Sequence, residues 1–264
     1  MIRILLFFAI VMMPAQTPAQ TADFSGASWI AMDADSTILF PHIHLLKASS
    51  PKGQSLKQYR LPVLECRFTP DGREVSRAQV NVCGLGQYAL FINGERVGAN
   101  FLDPGWTMYD KRLLYNTFDI TPLLSSLHSE IHIKVMLGGG MYDIPLKGYH
   151  KMAGSCGAPK LLFAMHIEYS DGHRQTIVSD DSWTAVESPV RHSSIYSGES
   201  YDATLTATPR PVVITRPHWE VPLVRQHDHT RLVIKKELPM TLIKSQTSNL
   251  KSQTSNLKPQ TSNL

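Results

Sequence analysis

The chain has 264 residues, of which 42% are hydrophobic, with 26 Lys and Arg against 22 Asp and Glu. This composition permits a packed core of one or two domains and excludes a wholly disordered protein. The basic excess comes from Arg3 near the start and from Lys244, Lys251 and Lys258 near the end, and without these four the remaining 22 bases equal the 22 acids. The charge therefore gives no indication of nucleic-acid binding.

The first 20 residues have the pattern of a secretory signal peptide. Arg3 supplies a positive charge, an apolar run extends from Ile4 to Met13, and small residues are frequent from Ala15 to Ala22. This run is too short to cross the ~30 Å hydrocarbon core of a bilayer as a helix. We expect residues 1–20 to be a cleaved signal, with no membrane insertion and a periplasmic or secreted location. A buried N-terminal helix or strand is the alternative.

Short strand-like segments separated by turn residues follow, and no segment has the pattern of an amphipathic helix. Asn93-Gly94 is the preferred pair for a two-residue type I′ hairpin, and Asp171-Gly172 predicts a second hairpin. Pro70-Asp71-Gly72 predicts a turn. The pattern predicts an all-β fold, an antiparallel β-sandwich or galactose-binding-like jelly roll. The predicted strands are Val63–Thr69, Arg77–Val82, Leu113–Ile120, Ile131–Leu137, Leu161–Tyr169, Arg174–Val178, Trp183–Val186 and Ser194–Tyr196.

The C-terminal part changes in character. Thr208–Trp219 is rich in proline and predicts a linker or an edge segment. Lys244–Leu250 and Lys251–Leu257 are identical, and Lys258–Leu264 differs only at Pro259. One Leu in seven residues buries too little apolar surface to offset chain entropy. We therefore expect a β-sandwich region at residues 21–225 and a degraded, repetitive, disordered tail at 226–264.

The cysteines and histidines predict no structural metal site. Cys66 and Cys83 lie in strand-like segments, where a small buried hydrophobe is the usual role, and the third cysteine, Cys156, makes the count odd. The histidine pairs at residues 42 and 44 and at 227 and 229 have no further ligands near them in sequence. We therefore expect the histidines of both pairs to be ordinary surface or packing residues rather than metal ligands.

Four blocks, in order, resemble the N-terminal domain of bacterial α-L-rhamnosidases of glycoside hydrolase family 78. They are Gly84–Gly98 (GLGQYALFINGERVG), Pro104–Thr121, Val135–Ile144 and Ser179–Thr204. Gly139 replaces the usual Asn, and Thr204 stands where the family usually has Arg. The resemblance implies an all-β domain that precedes an (α/α)6 catalytic barrel, and the residues after the last block are too few to form that barrel.

The resemblance thus implies a non-catalytic, carbohydrate-associated ancillary domain, truncated before the catalytic domain that would be its natural partner. A stand-alone module that binds rhamnose or another glycan is one alternative. A structural remnant without a ligand is the other.

No catalytic residue is predicted. Glycoside hydrolysis usually needs two carboxylates at a defined separation. Asp180-Asp181-Ser182 instead predicts a turn before the strand that holds Trp183. Glu199 and Asp202 flank Tyr201, and loop fixing is favoured there over sugar or calcium binding.

The predicted sugar site combines aromatic faces with nearby carboxylates. Gly138–Gly140 should form a flexible loop that exposes Tyr142 and Asp143, while for Trp106 and Trp183 core positions are favoured over sugar contact. Some relatives of this region bind rhamnose with calcium, so the resemblance implies a rhamnose-containing glycan and calcium as candidate ligands. Asp143, Glu199 and Asp202 would supply oxygens to such a calcium ion. The candidate carbohydrate-binding residues are Trp106, Tyr109, Asp110, Tyr142, Asp143, Glu199 and Asp202.

Overall fold

The computed structural model describes residues 22–34, 44–45, 61–124, 129–144, 152–226 and 232–236. The predicted signal at 1–20, the repeats at 244–264 and three of the paired histidines, at 42, 227 and 229, lie outside these residues. The chain divides into two units, Met1–Leu232 and Val233–Leu264, and the described residues 233–236 of the second unit contain no helix or strand. Within the described ranges, no helix has the length and apolarity needed to cross a membrane.

Two large β-sheets form the first unit. Six strands of the seven-stranded sheet have the order β17 (Val213–Thr215), β1 (Trp29–Ala31), β11 (Lys160–Tyr169), β4 (Val75–Leu85), β7 (Leu113–Asp119) and β18 (Leu223–Arg225). The seventh strand, β12 (Arg174–Val178), pairs with β11. The six-stranded sheet has the order β16 (Arg210–Pro211), β13 (Thr184–Glu187), β3 (Pro62–Phe68), β8 (Ile131–Gly138), β5 (Gln87–Ile92) and β6 (Glu95–Val97). All pairs within these sheets are antiparallel except β18 with β7, which is parallel.

Smaller elements complete the unit. A three-stranded sheet contains β2 (His44–Leu45), β10 (Met152–Ser155) and β9 (Asp143–Ile144), and a hairpin contains β14 (Val190–Ser194) and β15 (Gly198–Tyr201). The one described helix, α1 (Thr121–Leu124), is a single turn. Asp119 caps it by accepting hydrogen bonds from the backbone N–H and the hydroxyl of Thr121.

The main core lies between the two large sheets and establishes the predicted sandwich. Along β8 every second side chain is buried, as expected for a strand with one face on a core. Trp183 is fully buried in this core, its ring centroid 5.2 Å from that of Phe163, and its Nε1–H donates to the carbonyl of Val178. The predicted core position of Trp183 is confirmed.

The predicted turns mostly agree with the structure. Asn93 and Gly94 both have positive φ and connect β5 to β6 as a two-residue hairpin loop. Asp171-Gly172 connects β11 to β12. The predicted strand Ser194–Tyr196 is wrong beyond Ser194, because residues 195–197 form the turn between β14 and β15.

The Pro-rich segment is an edge segment of both sheets. Arg210–Pro211 pairs with β13 at the edge of one sheet, and Val213–Thr215 pairs with β1 at the edge of the other. The guanidinium of Arg210 also lies 2.7 Å from a carboxylate oxygen of Asp33. The chain therefore crosses from one sheet to the other within a few residues.

A second apolar cluster covers part of the outer face of the seven-stranded sheet. In β4, the residues Ala78, Val80 and Val82 face the main core, whereas Cys83 and Leu85 belong to the second cluster. The other buried members of this cluster come from β7, β11 and three loops, and are Tyr109, Leu113, Tyr115, Tyr142, Cys156 and Leu162. One part of the outer face is thus closed by apolar side chains.

Candidate functional site

Four of the seven predicted sugar-binding residues come together beside the second apolar cluster. The rings of Tyr109 and Tyr142 meet edge to face, with their centroids 5.0 Å apart. Asp110 follows Tyr109, and Asp143 follows Tyr142 in β9. We call these four residues the loop cluster.

The tyrosines of the loop cluster are buried, so the expected exposed loop is wrong. Tyr109 is 7% exposed and Tyr142 only 1%. The backbone N–H groups of Tyr142 and Asp143 both donate to the carbonyl of Gly139, and Cys156 N–H donates to the Tyr142 carbonyl. These bonds close a tight turn that directs the Tyr142 side chain into the protein. Neither tyrosine presents an open ring face to a sugar.

Lys160 is a buried charged residue beside the loop cluster and was not among the predicted residues. It is fully buried, its Nζ donates to the carbonyl of Ala158 at 3.0 Å, and it lies 5.9 Å from the ring centroid of Tyr142. Lysine is rarely buried in this way without compensating groups. A single Lys before the apolar run LLFAM was too weak a signal to identify it from the sequence.

Cys156, a buried member of the second apolar cluster, is subject to three charged groups. Burial is the largest of the causes that raise the pKa of the Cys156 thiol to about 11. The carboxylates of Asp143 and Asp110 contribute to this rise, whereas the ammonium of Lys160 opposes it. Two carboxylates and one ammonium therefore act on the same thiol.

All three cysteines are thiols rather than half-cystines. Burial raises the pKa of the Cys66 thiol to about 11, with a further contribution from Asp180, and burial alone raises the pKa of Cys83. Cys83 is fully buried in β4, as the sequence predicted, while Cys66 is only partly buried. Raised pKa values keep the thiols protonated and poorly nucleophilic at neutral pH.

Trp106 lies on the surface, which makes its predicted core position wrong. Its side chain is 57% exposed, and Met108 two residues later is 64% exposed. Phe101 and Leu102 in the same loop are 40% and 45% exposed, and Leu102 has a positive φ of 62°. Trp106 belongs to no strand, so no sheet alternation directs it inward. We call Phe101, Leu102, Trp106 and Met108 the apolar loop.

Glu199 lies on the separate β14–β15 hairpin, and Asp202 directly follows it. Glu199 is exposed on β15 opposite Ser193. Asp202 Oδ1 accepts hydrogen bonds from the backbone N–H and the hydroxyl of Thr204, and these bonds lower the pKa of its carboxyl. Asp202 therefore fixes its own loop.

Asp180 has a similar structural role. Its Oδ1 accepts from the backbone N–H and the hydroxyl of Ser182, so the predicted turn before the Trp183 strand is confirmed.

The described residues do not fit a calcium site. Across the described ranges, no group of three or more His, Cys, Asp and Glu side chains is arranged to hold a metal ion. Calcium takes six to eight oxygen ligands, whereas the candidate ligands Asp143 and Glu199 lie on strands of different sheets. Asp202 is already engaged by Thr204.

A polar depression of about 340 Å³ lies elsewhere on the outer face of the seven-stranded sheet. We call it the polar trough. Its lining comes from β4, β11, β12 and the N-terminal segment, and consists of Asp23, Arg77, Gln79, Asn81, His166, Ile167, Glu168, Arg174, Gln175 and Thr176. The sequence shows polar residues at alternate positions of each strand, but their assembly depends on strand register, which the sequence did not predict.

Comparison with known proteins identifies the fold. The family model described as the alpha-L-rhamnosidase N-terminal domain matches residues 73–244, more than half of the chain. The chain belongs to this family. An alpha-L-rhamnosidase of Formosa agariphila is 36% identical over 135 residues, which are 50% of this chain and 14% of that protein. One of Streptomyces avermitilis is 31% identical over 182 residues, 69% of this chain and 16% of that protein.

A solved relative agrees with this assignment to the alpha-L-rhamnosidase N-terminal domain family. The alpha-L-rhamnosidase of Dictyoglumus thermophilum superposes with a TM-score of 0.59 at 29% identity, over 77% of this chain and 22% of that chain. The chain spans between 14% and 18% of the length of the curated relatives that it matches. The resemblance predicted from the four sequence blocks is confirmed.

The family blocks build one part of this N-terminal domain. Gly84–Gly98 contains the Asn93-Gly94 hairpin, Pro104–Thr121 contains Trp106 and the first half of the loop cluster, and Val135–Ile144 contains the second half. The residues that line the polar trough lie outside all four blocks.

Proposed function

We propose that the chain acts as a non-catalytic ancillary β-domain of an α-L-rhamnosidase-like protein. The observation that carries this proposal is the match of residues 73–244 to a domain described as N-terminal in that family. The matched relatives are alpha-L-rhamnosidases of which the chain spans at most 18%. The partner would be the catalytic domain of the longer protein, and export through the N-terminal segment is part of the proposal.

The arrangement of the carboxylates supports a non-catalytic role. Asp180 and Asp202 each accept hydrogen bonds from residues two positions along the chain, which fixes turns. Asp110 and Asp143 directly follow the two buried tyrosines of the loop cluster. Glycoside hydrolysis usually requires one carboxyl as proton donor and a second as base or nucleophile, both facing a bound sugar.

We expect the purified chain to release no p-nitrophenol from p-nitrophenyl α-L-rhamnoside above the buffer rate. Full-length alpha-L-rhamnosidase of Streptomyces avermitilis, assayed at the same molar concentration, is the positive control. Absorbance at the nitrophenolate band measures both. Turnover that co-elutes with the chain on gel filtration, and scales with its concentration, would contradict the proposal.

The apolar loop favours a second candidate function, capture of a rhamnose-containing glycan. Trp106 is 57% exposed, and a flat indole face matches the C–H face of a pyranose ring. Met108 beside it is also exposed and adds a flexible apolar surface. A loop with four exposed large apolar side chains is equally suited to contact another domain, in which case Trp106 would not meet sugar.

Trp106→Ala separates these two uses of the apolar loop. If the loop binds sugar, calorimetric titration with L-rhamnose gives saturable heat, and Trp106→Ala weakens binding about tenfold, equivalent to about 1.4 kcal/mol. Met108→Ala, in the same loop, should cost much less. We expect the same affinity in calcium and in EDTA, because the described residues do not fit a calcium site. Absence of saturable heat with the unaltered chain would favour domain contact.

A further inference from the structure

The polar trough is built by three neighbouring strands held in register. Arg77, Glu168 and Arg174 are Cα partners across β4, β11 and β12 and form one row of alternating charge. Gln79, His166 and Thr176 form the next row. Because side chains directly opposite each other share a face, each row projects from the same outer side of the sheet.

The next row marks the closed end of the trough. Asn81 lies opposite Ala164, and Asn81 is only 1% exposed. Its Oδ1 accepts from the hydroxyl of Thr117, and its Nδ2 donates to the carbonyl of Asp23. Polar side chains on the solvated face of an antiparallel sheet are usually exposed to water. The burial of the Asn81 amide therefore distinguishes the trough from an ordinary polar face.

The N-terminal segment supplies one wall. His166 Nε2 lies 2.9 Å from the carbonyl of Asp23, which only accepts, so this nitrogen carries the proton. His166 Nδ1 lies 3.4 Å from the hydroxyl oxygen of Thr176. His166, in the middle strand of the three, is therefore hydrogen-bonded to the N-terminal segment that forms one side of the trough.

The polarity and the charge balance of the lining residues indicate which class of ligand the trough can bind. Ile167 is the one apolar residue among the ten that line the trough, and Phe, Tyr and Trp are absent from this lining, which disfavours lipids and apolar peptides. Asp23 and Glu168 balance Arg77 and Arg174, and the side chains of Glu168 and Arg174 are hydrogen-bonded. A phosphate or a polyanion would need an excess of positive charge.

We propose that the polar trough is a binding site for a neutral saccharide. Amide, guanidinium, carboxylate and hydroxyl groups in two parallel rows are donors and acceptors suited to the adjacent hydroxyls of a pyranose. The volume of about 340 Å³ falls within the range of small-ligand sites. This site is separate from the apolar loop, and the proposal does not rest on the rhamnosidase assignment.

The test is a two-dimensional ¹H–¹⁵N NMR titration of the full chain with L-rhamnose, D-galactose and D-glucose, and with D-glucuronate as the charged comparison. At least one neutral sugar should shift the amide signals of Gln79, His166 and Thr176 in a saturable manner. Gln79→Ala should weaken this binding about fivefold, the effect of losing about one hydrogen bond.

The second part of the test compares the sugar affinity of two arginine variants, one inside the trough and one outside it. Arg77→Ala removes a trough guanidinium and should also weaken binding about fivefold, whereas Arg67→Ala, on β3 of the opposite sheet, should leave it unchanged. The proposal is overturned if no neutral sugar shifts trough amides at tens of millimolar, if glucuronate binds more tightly, or if the shifts map to the apolar loop. Shifts at the apolar loop alone would support glycan capture and reject the trough.

Discussion

Trp183→Ala should lower the free energy of unfolding by about 3–5 kcal/mol, the usual cost of removing a large aromatic side chain from a core. Trp183 is fully buried between the two sheets and packs against Phe163. Its indole N–H also donates to the Val178 carbonyl at 2.8 Å, and the substitution removes this donor. Urea unfolding followed by far-UV circular dichroism measures the loss.

Two further substitutions are the controls for Trp183→Ala. Trp183→Phe keeps an aromatic ring but lacks the donor to Val178, so we expect a loss of about 1–3 kcal/mol. Trp106→Ala removes the same side chain from an exposed loop and should change stability by less than about 0.5 kcal/mol. Equal losses for the substitutions at 183 and 106 would contradict the core assignment.

Gly86→Ala should be among the most destabilising substitutions in the chain, at about 3 kcal/mol or more. Gly86 connects β4 to β5 with a φ of +107°, and a Cβ there would lie 2.0 Å from the carbonyl oxygen of Gly138. The obstructing atom belongs to the backbone of β8, which is paired with β5 and β3, so it cannot move without disturbing those pairs. Thermal and urea unfolding of the purified variant both measure the cost.

Gly72→Ala is the matched control for Gly86→Ala. Gly72 also has a positive φ, +73°, but a Cβ at this position would meet nothing within 4 Å. Its cost should therefore be the conformational strain alone, about 1 kcal/mol. A similar cost for both variants would mean that close approach to Gly138 is unimportant.

The strands and tight turns could be predicted because local residue preferences determine them. Asn93-Gly94 adopts positive φ at both positions of a two-residue turn, which few other pairs tolerate. Period-two alternation located β8 to within one residue. The parallel pairing of β18 with β7 could not be predicted, because it joins segments more than 100 residues apart.

The sequence grouped the four residues of the loop cluster, which do lie together, with Trp106, Glu199 and Asp202, which lie elsewhere, and it placed the buried tyrosines at the surface. Tyr109 and Tyr142 were placed in one site on their residue types and motifs, and their rings do meet. Whether they faced solvent depended on the turn at Gly139, whose carbonyl accepts two backbone bonds. Lys160 and the polar trough depend on strand register, which a single sequence specifies only weakly.

The crossing segment at Arg210–Thr215 also bears on solubility. It forms the outermost strand of one sheet at β16 and of the other at β17. Unpaired strand edges are templates for intermolecular β-pairing, and prolines lower that hazard because they have no amide hydrogen to donate. Pro211 therefore limits intermolecular pairing at the edge formed by β16, whereas β17 contains no proline and keeps its amide donors.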